Sequence, residues 1–310
     1  MIEIMLRKKG KVRDIYFFAE EYMKNMLLML FSDRVSANDQ LLDFEINNKG
    51  RVLWSLTVFW KQHLSSIIEG DIAFHNQKQI GDTVCISNLK KNFARMLIVR
   101  KAIAIPMECI VRGYFTGSFA KAYQRGEIWT QGFSIASSIQ GYDKFEKAIF
   151  TPSTKGDKDL YLPKEQMIEF LNTWLAAQRI DLDAKEFYNQ LCAYSLKIYG
   201  EASKYTDEHG IILADLKLEF GLLKNGNGSY KIIWIDEGIT PDTARFWIKE
   251  TYGNGKAPIS IDKDPIRKSL QETGEVSMEV RQQVESSYMM AAKMLLPSDM
   301  YAQLEAYCED

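Results

Sequence analysis

"IILADLKLEFGLLKNGNGSYKIIWIDEGITPD", residues Ile211–Asp242, decides the fold. Two apolar runs flank the polar, glycine-rich "NGNGS" (Asn225–Ser229), the pattern of a β-hairpin. Side chains on a strand alternate between faces. In "ADLKLEF", Ala214, Leu216, Leu218 and Phe220 therefore share one face, and Asp215, Lys217 and Glu219 the other. The apolar face packs on a core and the charged face meets a cleft or solvent. If Lys224 lies opposite Tyr230 or Lys231, Glu219 falls opposite Ile235 or Asp236. Opposed Cβ atoms lie about 4.5–5.5 Å apart, so the carboxylates of Glu219 and Asp236 would repel and require a cation between them. With no His or Cys nearby, such a pair suits a hard ion such as Mg2+. Lys217 would stand beside it as a point charge for a phosphate or carboxylate. A solvated strand face accounts for the alternation equally well. Against it stands "KIIWID", apolar up to Asp236, which makes that acid emerge from a buried strand.

The rest of the chain sets the frame. Its 310 residues are long for one core and suggest two lobes with a cleft between them. Lys plus Arg number 39 and Asp plus Glu 41, a net charge of -2, which does not suggest a bulk nucleic-acid binder. Cys85, Cys109, Cys192 and Cys308 form no CxxC pair and read as reduced thiols of a cytoplasmic protein. The start, "MIEIMLRKKGKVRDIY", lacks the apolar core of a signal peptide, and "MLLMLF" (Met26–Phe31) is far too short to span a bilayer. His63, His75 and His209 fit no metal spacing; His209, before Gly210, reads as a helix cap.

"KVRDIYFF" and "NMLLMLFSD" predict an antiparallel hairpin, and residues 54–68 a helix. Strands follow at "DTVCIS", "RMLIVRKA" and "MECIVRGYF", with Pro106 as a connector between the last two. Pro163 opens a helix carrying Met167, Leu171, Trp174 and Leu175. Asp183 and Glu186 form a capping box for a second long helix that ends near Gly210. Helices close the chain from about Met278. The expectation is an α+β protein with a β-rich, antiparallel-sheet N-terminal lobe over 1–103 and a mixed second lobe over 104–310.

Six segments, "GKVRDIY", "SDRVSAND", "PMECIVRGYFTGS", "TPSTKGD", "ADLKLEFG" and "IDEGITPDTARFW", stand between Gly10 and Trp247. In their order and approximate spacing they resemble the SAICAR synthetase family. The resemblance implies a two-lobed fold related to ATP-grasp ligases and protein kinases. It also implies an ATP- and Mg2+-dependent carbon–nitrogen ligase of purine biosynthesis, which joins carboxyaminoimidazole ribotide (CAIR) to L-aspartate through an acyl phosphate. A carboxylate is a poor electrophile, and phosphoryl transfer to it depends on positioning and charge neutralisation.

The resemblance distributes roles along the chain. Gly10, Lys11, Val12 and Arg13 would meet the ATP phosphates, and Lys101 and Glu108 would lie at a hinge that reads adenine. Glu219 and Asp236 would hold Mg2+, with Lys217 and Asp215 as the catalytic pair. Ser36, Asp39, Arg112, Gly117, Ser118 and Arg245 would hold the ribotide. Lys155 and Asp159 would complete the substrate site. Many family members carry a His–Asp pair after "TPSTK"; here Lys158–Asp159 stands in its place, so no imidazole role carries over. The partners implied are small molecules, with neither nucleic acid nor membrane. The segment after Trp247 shows no chemistry of its own, "YGNGK" reads as a surface turn, and packing between subunits in a homo-oligomer is left open. Two rival readings are a nucleotide-responsive binding protein without catalysis and a ligase or kinase for another small acid.

Overall fold

A computed structural model describes residues 4–37, 40–75, 80, 94–126, 135, 138–156, 159–253 and 257–309. The "DTVCIS" stretch, Asp39 and Lys158 lie outside these residues. Two antiparallel sheets organise the chain. In the first, β1 (Ile4–Lys9), β2 (Arg13–Phe18), β3 (Met26–Phe31), β7 (Met96–Arg100) and β6 (Ile72–Phe74) are neighbours in that order. The expected hairpin is β2–β3, with Arg13 opposite Phe31. β4 (Arg34–Ala37) and β5 (Gln40–Glu45) form a small ribbon.

The second sheet is built around β8 (Ile103–Tyr114) and β11 (Ile211–Lys224). β9 (Lys144–Phe150) and β10 (Ser153–Thr154) pair with β8, while β12 (Tyr230–Ile235) and β13 (Ala244–Ile248) pair with β11. The expected connector at Pro106 is not one: Pro106 sits inside β8. It is tolerated because the β8–β11 register shifts between Glu219 and Gly221, and a proline needs no ladder partner at such an irregularity.

The first helix, α1, runs Lys49–His63, five residues earlier than residue 54. Its start is signalled from a distance, because the Gly50 amide donates to Asp33 Oδ1 at 2.8 Å. Gly50 is required there: a Cβ would come within 2.9 Å of the Phe31 carbonyl oxygen. Nearly every residue of α1 is buried, the mark of a helix enclosed on all sides. It belongs to one continuous core with residues of both sheets and of the C-terminal helices, including Phe31, Val99, Leu218 and Ala291.

α2 (Gly117–Gln124) follows β8. α3 (Lys164–Ala177) begins after Pro163 as expected, and α4 (Ala184–Glu208) is capped by Asp183, whose carboxylate accepts from the Glu186 amide at 2.7 Å. His209 caps α4's end, its Nδ1 lying 2.7 Å from the Tyr205 carbonyl oxygen. α5 (Asp264–Glu272), α6 (Met278–Leu295) and α7 (Ser298–Glu309) complete the chain. Among the described residues no helix is long and apolar enough to cross a membrane, and Cys109, Cys192 and Cys308 are unbridged.

Candidate active site

β11 delivers its charged face to a cavity of about 470 Å³ lined by Asp215, Lys217 and, from neighbouring strands, Glu108, Arg112 and Arg245. Pairing explains the grouping. Asp215 lies opposite Arg112 of β8 on one side and Arg245 of β13 on the other. Its Oδ2 accepts from Arg112 Nη1 at 3.1 Å and from Arg245 Nη1. Arg112 also donates from Nε to Thr151 Oγ1 at 3.0 Å. One buried carboxylate thus aims two guanidinium forks. Asp215, expected to be one of the catalytic pair, has its contacted oxygen taken up by arginines, an arrangement suited to orienting them.

Lys217 Nζ donates to Glu108 Oε1 at 2.7 Å, and although burial works to lower the ammonium pKa, the Glu108 charge and hydrogen bond win and raise it. Glu108 is therefore an ion-pair partner inside β8, opposite Glu219, and not a group at a hinge. Lys101 lies in the short link between β7 and β8, outside the cavity. Its ammonium sits 5.5 Å from the centre of the Phe17 ring and its amide donates to the Asn25 carbonyl at 2.8 Å.

α2 begins at the cavity. Gly117 has φ +67, and a Cβ there would strike the Arg245 guanidinium at 2.8 Å. The Gly117–Ser118 turn and Arg245 are thus packed into one corner, where helix-terminal N–H groups stand beside a fork of donors, an arrangement suited to an anion. Ser36 of β4 and Asp159 also line the cavity.

The segment after Trp247 contributes what its sequence did not disclose. Ser260, Lys263, Asp264, Arg267, Lys268 and Gln271 line the same cavity. In all, seven Lys or Arg face five Asp or Glu there, an excess suited to anions. The legible signal was "DKDPIRKS", in which Pro265 opens a helix whose first turns carry Arg267 and Lys268. Burial, with Arg267 and Lys49 nearby, pushes the Lys263 amine down to about 7 despite Asp242. Asp262 beneath it accepts from the Phe246 amide and Ser260 Oγ, and burial pushes its carboxyl up to about 6.

The other end of β11 has the opposite character. The hairpin pairs Lys224 with Tyr230 and Glu219 with Ile235. Regular alternation would turn Asp236, the next residue, to the far face. Asp236 has φ +63, and at this break in the strand its carboxyl lies near enough to that of Glu219 for each charge to act on the other. Burial first, and Asp236 second, push the Glu219 carboxyl up. Burial also pushes against ionisation of Asp236, but Arg13, Lys155 and Lys61 outweigh it and hold Asp236 below the usual carboxylate range. Two neighbouring acids whose charges oppose one another are suited to a divalent ion that neutralises them. Among the described residues no group of three or more His, Cys, Asp or Glu is arranged for a metal. A two-carboxylate seat fits Mg2+, which fills its shell with water and phosphate oxygens.

Arg13 lies at this acidic end. Its Nη2 is 2.7 Å from Asp236 Oδ2 and its Nη1 bonds Glu237. Lys155 pairs with Glu219. Gly10 has a local cause too, since its amide donates to the Arg13 carbonyl at 2.8 Å and a Cβ would lie 2.4 Å from that oxygen. The Lys11 carbonyl accepts from Arg34 Nε at 3.2 Å, and the Val12 carbonyl accepts from both the amide and the hydroxyl of Ser32. None of these residues lines the basic cavity, so the expected site residues divide into two groups along one strand.

Residues 6–284 match the family model described as SAICAR synthetase. The chain belongs to the SAICAR synthetase family. These are ligases of purine biosynthesis that join CAIR and aspartate into SAICAR. The chain is 37% identical over 272 residues to the phosphoribosylaminoimidazole-succinocarboxamide synthase of Pelobacter propionicus, covering 86% of this chain and 83% of that one. With the same enzyme of Maridesulfovibrio salexigens the identity is 33% over 314 residues, 97% of this chain and 96% of that one. The fold is similar to the Saccharomyces cerevisiae SAICAR synthase complexed with SAICAR, with a TM-score of 0.74, 29% identity and 94% of each chain covered.

Proposed function

We propose that the chain joins the carboxylate of CAIR to the amine of L-aspartate with ATP as the activating reagent and Mg2+ as its counter-ion. The observation that carries this reading is the opposite polarity of β11's two ends, one lined by Arg112 and Arg245 and the other by Glu219 and Asp236. The ribotide phosphate belongs at the basic end, where Ser118, Arg245, Arg267 and Lys268 offer donors. The triphosphate belongs at the acidic end, between the lobes over 1–103 and 104–310, with Glu219 and Asp236 holding Mg2+. Bound there, the ion would supply positive charge to offset that of the phosphate oxygens.

Lys217 lies between the two ends, and its ammonium is held charged by Glu108. It is suited to steady the γ-phosphoryl group while a CAIR carboxylate oxygen attacks the phosphorus and ADP leaves. The aspartate amine then attacks the acyl carbon of the mixed anhydride, the C–O bond to phosphate breaks, and the amide forms. Lys155, paired with Glu219, and Asp159, in the cavity wall, have charges suited to the aspartate carboxylates and amine.

Oxygen-18 in the CAIR carboxylate tests the route. One labelled oxygen is expected in the released phosphate, and unlabelled phosphate would exclude the acyl phosphate. Release of ADP in the absence of L-aspartate and CAIR alike, or its complete absence with all three substrates, would favour the rival readings.

A further inference from the structure

The carboxyl of Asp236 meets Glu219 only because the Asp236 backbone is left-handed, and the fold shows what holds it there. Lys61 of α1 and Asp71 form an ion pair with side chains 2% and 3% exposed. Lys61 Nζ donates to Asp71 Oδ1 at 2.5 Å and to the Asp236 carbonyl at 2.6 Å. Asp71 Oδ2 accepts from the Asp236 amide at 3.2 Å. Both peptide groups flanking one φ/ψ pair are thus gripped by one buried pair of charges. The left-handed region disfavours residues with a Cβ, and Asp is among the few that visit it. Such a conformation persists where surrounding contacts determine it.

The grip is anchored in both sheets. The Asp71 amide donates to the Trp234 carbonyl at 3.0 Å, at the end of β12, and the Asp71 carbonyl accepts from the Arg100 amide at 2.8 Å, at the end of β7. Lys61 is also one of three polar residues of α1 that meet the 236–242 loop. Thr57 and Lys61 are i, i+4 neighbours on the helix, and Lys49 lies two turns before Thr57. Lys49 Nζ lies 2.9 Å from Asp242 Oδ2, Thr57 Oγ1 accepts from the Gly238 amide at 3.0 Å, and Lys61 takes Asp236. The helix therefore runs against the 236–242 loop and fixes it at three points. Gly238 has no room to drift, since a Cβ there would lie 2.7 Å from Thr57 Cα.

We infer that Lys61 and Asp71 are positioning residues for the divalent-ion seat: they set the backbone of Asp236 so that its carboxylate, and not its far face, is presented beside Glu219. The inference rests on the proposed role of Glu219 and Asp236 and extends it to two residues that touch no substrate. A purely structural ion pair would behave differently. Removing both its charges together often leaves a fold intact, whereas removing one strands the other.

The test is an electron paramagnetic resonance titration of Mn2+ with a non-hydrolysable ATP analogue, on the parent chain, on Asp236→Asn and on the double variant Lys61→Met with Asp71→Asn. Thermal unfolding is recorded for each. Asp236→Asn is expected to lose Mn2+ binding. The double variant is expected to unfold near the parent's temperature and to bind Mn2+ about 10- to 100-fold more weakly, the range for partners that orient metal ligands. Parent-like binding by the double variant, with binding lost in Asp236→Asn, would overturn the positioning role and leave the ion seat standing. Parent-like binding by Asp236→Asn would overturn the ion seat and the inference with it. Should the double variant not fold, amide exchange in the parent decides: protection of the Asp236 amide equal to that of β12 supports the grip, and exchange at the rate of an exposed loop overturns it.

Discussion

The two ends of β11's charged face, Asp215 and Glu219, lie about 13 Å apart, four residues at strand rise, yet they carry opposite chemistry. At Asp215 one carboxylate stands between two arginines, so the local balance is positive. At Glu219 and Asp236, with Glu237 behind them, three carboxylates face Arg13 and Lys155, so the balance is negative. Between them Lys217 and Glu108 cancel. The difference comes from the neighbouring strands and not from β11 itself, which alternates Asp, Lys and Glu without regard to sign. Arginines opposite a strand acid suit the place to an anion; a second acid beside it suits the place to a cation. The proposed reaction, bringing a ribotide phosphate and a metal–triphosphate to one carboxylate, would need both kinds of site within reach, and the spacing along a single strand is compatible with that.

The comparison can be broken most severely at its acidic end. Asp236→Asn removes one of the two charges proposed for the ion, and kcat is expected to fall by about 10³-fold or more, because charge stabilisation by a bound metal is worth several kcal/mol. Steady-state rates with thermal unfolding as a control check this; turnover within tenfold of the parent would erase the contrast.

At the basic end, Arg245→Met deletes one fork and leaves Asp215 with Arg112. The KM for CAIR is expected to rise by about 10- to 100-fold, the worth of a charged hydrogen bond, while the affinity for Mn2+ and nucleotide stays within about twofold. If both affinities fall together, the two ends are one site.

The smallest effect is a pH dependence. The Lys263 amine, lowered to about 7 mainly by burial, is an ammonium below that pH and neutral above it. An anion held partly by Lys263 therefore binds best in the charged form. The KM for CAIR is expected to rise by up to about tenfold between pH 6 and 8.5, with binding of the anion pulling the midpoint upward. In Lys263→Met the profile should be flat across that window. An unchanged slope in the variant would assign the titration to another group.

The legible parts of the fold were those specified by local pattern. The β11–β12 hairpin followed from alternation and the "NGNGS" turn, and one of the two registers read from the sequence is the one formed. α4 was given by its capping box and α3 by Pro163. α1 was read late because its start depends on Asp33, 17 residues away in sequence. Pro106 was misread because its tolerance depends on a register shift between two strands a hundred residues apart. The basic side of the cavity was invisible beyond Trp247 for a similar reason: Lys263, Arg267 and Lys268 look like an ordinary solvated helix face until α5 is set against α2 and β13.

By itself, the sequence determined that acids and a lysine would share one face of a buried strand, because alternation with period two is a property of the backbone. Only the tertiary structure decided which acids meet. Glu219 stands opposite Ile235, and the pairing with Asp236 exists through a left-handed turn that no local rule demands. That turn is held by Lys61 and Asp71, residues 175 and 165 positions away along the chain. Charges buried together interact according to distance in space, and that distance is set by how the sheets and α1 pack.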